Sequence, residues 1–181
     1  MIQRLVIAIV VTTGIVAAQE KAPEFLKPGA EHKFLEQFVG EWDCEFEAIV
    51  EPGKPPVKSK SQMTGRMVGG FWSIVEVKGD FLGLPYHGQG TFGFDSKKKK
   101  YVGTWADSMS EFFWKYEGTA EGGKLALHSE GPNPEKFDQM LKTRDTWEFN
   151  GKDTVVLTGE VAGPDGKLMP MMKATCTRKK P

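Results

Sequence analysis

The chain has 181 residues, with 24 basic against 24 acidic side chains, no net charge and 39% hydrophobic residues. That length suits one domain with a single core once a leader is set aside. The balanced charge argues against nucleic acid or an anionic membrane surface as the main partner, because both are held by an excess of Lys and Arg.

The chain opens "MIQRLVIAIVVTTGIVAAQEKAP". Arg4 gives a positive start, Leu5 to Val16 form an apolar core, and Val16, Ala17 and Ala18 put small residues at a cleavage position. The pattern predicts a secretory signal peptide over 1–18, too short for a membrane span, with an uncleaved anchor as the other reading. Cutting after Ala18 removes Arg4 and leaves 23 basic against 24 acidic residues. The expectation is an exported protein, periplasmic or secreted, with no integral membrane association after cleavage. Residues 19–30 carry two prolines and a glycine and read as a flexible tether ahead of a single domain over 31–181.

In "EHKFLEQFVGEW", Phe34, Leu35 and Phe38 recur at helical spacing, which predicts a short amphipathic helix stopped at Gly40. The period then changes to two. Trp42, Cys44 and Phe46 alternate with Asp43, Glu45 and Glu47, as in an antiparallel strand with one dry face. The same signal recurs in "KSKSQMTGRM", "FWSIVEVKG", "YHGQGTFGF", "YVGTWAD" and "EFFWKYEGTA". It continues through "KLALHSEG", "MLKTRDTWEFN", "GKDTVVLTGEV" and "KLMPMMKATCTRK". Nine or ten short strands with one short helix predict an all-β, antiparallel barrel whose helix closes one end.

Gly40 and Trp42 stand where the chain leaves that helix. Gly40 allows a sharp turn, and Trp42 then points its ring into the barrel floor, with an N–H that needs a carbonyl partner. Arg178, on the last strand, is placed to stack over the ring and cap the helix carbonyls. Gly-x-Trp on the first strand with a basic residue on the last resembles the calycin superfamily. "HKFLEQFVGEW", "MVGGFW", "GFDSKKKKYVGTWADSMS" and "TCTRKK" resemble the bacterial family called domain of unknown function 1579. The resemblance implies a calycin-like barrel in an exported protein and carries no activity, substrate or catalytic residue with it.

Several motifs are decoys. "GQGTFG" fits G-x-G-x-x-G, but Phe92 and Phe94 keep the strand period and no helix follows, so Gly88, Gly90 and Gly93 read as bends in a curved strand. Ser96 to Lys99 fits S-x-x-K on a solvated hairpin tip without partner motifs. His32, His87 and His128 lie far apart, and no local spacing builds a metal site. A haem needs a single axial histidine, so a haem-binding barrel stays an alternative, although His87 opposes Phe92 and Phe94 by parity and reads as outward. No cofactor, metal or catalytic residue is predicted, and enzymatic chemistry remains the reading without a supporting motif.

The inward parity set is richer. Tyr101, Trp105 and Asp107 share a face, as do Trp114 and Tyr116, and Asp145 and Trp147. Aromatics mixed with a few acids line a small-molecule pocket, so these seven are candidate contacts for a small apolar or aromatic ligand. The alternative is an envelope or interaction protein with a filled barrel, its acids at the rims bonded to turn amides or to Arg66 and Arg144. Cys44 shares the face of Trp42, and Cys176 shares that of Met172 and Ala174. Barrel closure makes their strands neighbours, so the two sulfurs are predicted to be adjacent, either as a disulfide or as two buried thiols.

Overall fold

The computed structural model describes residues 26–51, 53–133, 136 and 138–180. The signal peptide expected over 1–18 lies outside them, as does most of the expected tether; residues 26–29 have no regular structure. Helix α1 (Ala30–Phe34) continues as a 3₁₀ turn over Leu35–Phe38. Ten strands follow, each antiparallel to its neighbours: β1 (Gly40–Ala48), β2 (Val57–Val68), β3 (Trp72–Phe81), β4 (Leu84–Asp95) and β5 (Lys100–Asp107), then β6 (Ser110–Glu121), β7 (Lys124–Pro132), β8 (Met140–Asn150), β9 (Thr154–Ala162) and β10 (Leu168–Arg178). They form a closed up-and-down barrel in which β10 pairs with β1. Closure leaves no open sheet edge.

The helical segment plugs one end because its apolar side chains have nowhere else to go. Leu35 and Phe38 are fully buried, and Phe38 packs on Phe92, Trp147 and Phe149. Gly40 leaves the plug at φ 121°, a conformation that disfavours a side chain. Trp42 then lies 1% exposed, and its indole N–H donates to the Phe38 carbonyl at 3.1 Å. Arg178 donates from Nη2 to Gln37 O at 3.2 Å and from Nε to Lys152 O at 2.7 Å, with Nη1 on Val39 O. The first turn, the plug and the last strand are therefore tied at one corner.

The barrel seam carries the predicted adjacency in its bonded form. Cys44 and Cys176 are in register, their Cα atoms 4.0 Å apart, and are joined as a disulfide across 132 positions. Among the described residues no helix is long and apolar enough to cross a membrane.

Candidate functional site

With one end plugged, the interior is open toward the other, where the β1–β2, β3–β4, β5–β6, β7–β8 and β9–β10 connections gather. A cavity of about 280 Å³ occupies that half of the barrel. It is not filled by side chains. Its wall is built by the inward positions of the strands, with Phe46, Val77, Leu127 and Met172 supplying apolar surface.

Six of the seven predicted contacts line it: Trp105, Asp107, Trp114, Tyr116, Asp145 and Trp147. Trp105 and Trp114 are direct cross-strand partners on β5 and β6. Tyr101 points inward as expected but belongs to the floor. Its hydroxyl donates to Glu31 O at 3.1 Å and its ring packs against Phe34 and Phe94.

Glycines decide where the indoles sit. A Cβ at Gly88 would lie 2.4 Å from the Trp105 ring, and one at Gly90 would lie 2.7 Å from it. A Cβ at Gly131 would meet the Trp114 ring at 2.0 Å. Each ring therefore lies against bare backbone on one side, which leaves its other face to the cavity. The role read for Gly88 and Gly90 from sequence, bends in a strand, is thus joined by a packing role. Next to Trp114 the β6–β7 ladder runs only from Glu117↔His128 to Glu121↔Lys124, so these strands part toward the mouth.

The two predicted acids have different surroundings. Asp107 accepts from the Trp105 indole N–H at 3.0 Å and from the Met109 amide at 2.9 Å, a turn-bonded rim position. Asp145 lies deeper, between Leu127 of β7 and Gly159 of β9 in register. Among the described residues it has no cationic partner: Arg144 turns to the opposite face and binds Glu160 at 2.6 Å. Burial raises the Asp145 carboxyl to about 6, and a hydrogen bond from the Tyr116 hydroxyl lowers it in part. Burial likewise pushes the Tyr116 and Tyr86 phenols far above their ordinary range, reinforced by the charges of Asp145 and Asp107. Both phenols are thus hydrogen-bond donors at any physiological pH.

Tyr86 is a wall residue that was not among the predicted contacts. It shares parity with Phe92 and Phe94 on β4, a signal masked by the glycines between them. No histidine lines the cavity: His32 is buried in the plug, where Nδ1 accepts from Gly29 N, while His87 is exposed on Glu76 and His128 is exposed on β7. Among the described residues no three His, Cys, Asp or Glu side chains converge as metal ligands would.

The fold is similar to that of Rv2717c from M. tuberculosis, at 12% identity and TM-score 0.58 over 85% of this chain and 100% of that one. Two redesigned β-barrels also match. One is b11L5F_LGL, at 12% identity, TM-score 0.45, and 81% and 95% of the two chains. The other is mFAP0 bound to DFHBI, at 10% identity, TM-score 0.45, and 78% and 99%. No curated protein matches the chain. A family model described as protein of unknown function (DUF1579) matches residues 27–178, nearly the whole described chain. The chain belongs to that family.

Proposed function

We propose that this protein is an exported binding module that holds a small, largely apolar or aromatic ligand inside the barrel. The observation that carries this reading is the unfilled cavity of about 280 Å³ walled by Trp105, Trp114 and Trp147. Its size is close to the lower end of the roughly 300–1,000 Å³ typical of small-molecule sites. A barrel built only for stability would fill such a space, because unfilled apolar volume forfeits dispersion contacts and costs stability. Seating indoles on glycines preserves the space at the expense of packing those strands could otherwise have had. The disulfide fits an oxidising compartment, in keeping with export.

Native mass spectrometry of protein purified from its own host tests the reading. The expected result is a stoichiometric adduct of a few hundred daltons that is released on unfolding. A bare mass from several preparations, together with no uptake from a host extract, would oppose it.

A further inference from the structure

The charges around the cavity are of one sign. Asp80, Asp107, Asp145 and Glu160 line it, and among the described residues no Lys, Arg or His does. Two of the four are committed elsewhere: Glu160 to Arg144 at 2.6 Å, and Asp80 to the Gly83 amide at the mouth. Asp107 faces in from the rim. Asp145 is enclosed and lines the cavity, and among the described residues the neutral Tyr116 hydroxyl is its hydrogen-bond partner. An isolated buried carboxylate is costly unless a positive charge comes to it.

Around these acids stand aromatic faces. Trp105 and Trp114 each lie with one face against glycine backbone, and Trp147, Tyr86 and Tyr116 complete the wall. The negative face of an indole attracts a cation, most strongly where water is excluded. Carboxylates and indole faces thus select the same sign of charge, while the remaining wall selects apolar bulk. A carboxylate or phosphate ligand would meet Asp107 and Asp145 and, among the described residues, no base.

Resting on the reading of the cavity as a binding site, we infer that its ligand is a small organic amine, bound as a cation, with its nitrogen at Asp145 and its apolar or aromatic body against the indoles. Tyr116 orients the Asp145 carboxylate from β6. Asp107 on β5 adds long-range attraction without direct competition, since its oxygens already accept from Trp105 and Met109.

The groups that face Asp145 fix how this binding responds to pH. Tyr116 of β6 and Tyr86 of β4 stay protonated, and Asp107 of β5 is held by its two donors. Leu127 of β7 and Gly159 and Leu157 of β9 contribute no charge, and Glu160 is neutralised by Arg144. Burial raises the Asp145 carboxyl to about 6, so it gains a proton between pH 7.5 and 5, and that proton removes the counter-charge.

Calorimetric titration of the full chain with three probes of one skeleton tests the inference: 3-phenylpropylamine, 3-phenylpropan-1-ol and 3-phenylpropionate. At pH 7.5 the amine is expected to bind at least tenfold tighter than the alcohol, and the carboxylate at least tenfold weaker than the alcohol. Asp145→Asn should bring the amine to the affinity of the alcohol and leave the alcohol within about twofold of its wild-type value. Moving the wild type from pH 7.5 to 5 should shrink the advantage of the amine in the same direction, which decides the matter if the variant fails to fold. Equal binding of amine and alcohol overturns the cationic ligand while leaving the cavity as a site, and so does a preference for the carboxylate. Failure of all three probes to bind folded protein overturns the inference, while the adduct measured by native mass spectrometry judges the broader reading separately.

Discussion

The Arg178 guanidinium lies over the Trp42 ring, its Cζ 3.9 Å from the ring centroid, so the last strand holds down the first aromatic of the barrel. Trp42↔Arg178 is also the end of the β1–β10 register, which makes this contact the closing corner of the sheet. The indole, fully buried, bonds back to the plug through Phe38 O. Trp42→Ala should cost about 3–5 kcal/mol in chemical denaturation, as deletion of a large core aromatic does. A loss under about 1 kcal/mol, the range of surface changes, would mean that this corner is not a core.

The disulfide lies along the same seam. Joining Cys44 to Cys176 constrains almost the whole folded chain, a separation of 132 positions. In the chain-entropy picture such a loop contributes about 4–5 kcal/mol, chiefly by restricting the unfolded state. Replacing both cysteines by Ala should therefore lower the denaturation midpoint substantially while leaving the far-ultraviolet circular dichroism of the folded protein unchanged. An unchanged midpoint would show that the bond is absent or idle in solution.

The glycine seats make a sharper claim about the cavity wall. A methyl group at Gly88 would come within 2.4 Å of the Trp105 ring and 2.7 Å of the Tyr86 hydroxyl. Gly88→Ala must therefore push the indole inward and strain β4, with a destabilisation of about 1–3 kcal/mol, as for an overpacked core. The near-ultraviolet circular dichroism should change with it. Intact stability and an unchanged aromatic spectrum would contradict the placement of Trp105.

Stability should also depend on Asp145. Its ordinary value of 3.8 is raised to about 6 by burial, so the folded state holds this proton more tightly than the unfolded chain. In the interval between those two values the folded protein binds more protons, and stability falls as pH rises through it. Above it the penalty is constant, on the order of 3 kcal/mol as an upper figure. Asp145→Asn should abolish that slope and stabilise the protein at pH 7.5 relative to the wild type. Parallel pH–stability curves for the two proteins would refute the burial of this charge.

Parity made much of this readable from sequence, but only in one dimension. Alternation assigned Trp105, Trp114, Tyr116, Asp145 and Trp147 to the interior, because a strand offers each side chain one of two faces. It could not set the level along the barrel axis. Tyr101 and Asp107 share a face of β5, yet six residues at about 3.3 Å each separate the plugged floor from the mouth. Tyr86 escaped because Gly88 and Gly90 interrupt the apolar pattern, and those glycines matter through what lies on them, a ring from the next strand. The lining by both Met171 and Met172 also breaks alternation, where the β9–β10 register shifts between Pro170 and Met172. The inward placement of the cysteines, in contrast, followed from parity plus closure, and needed no side-chain detail.

The proposed uptake of a small apolar molecule into the barrel interior can be measured by displacement of space. Fluorescence titration with the neutral probe N-phenyl-1-naphthylamine, run on the wild type and on Ala174→Trp, tests it most directly, because Ala174 lines the cavity and an indole there occupies the space. A saturable, one-to-one rise in probe emission is expected for the wild type, and its loss in Ala174→Trp, with the circular dichroism of the folded barrel retained. Absence of saturable binding to the wild type, or equal binding by both proteins, would contradict it.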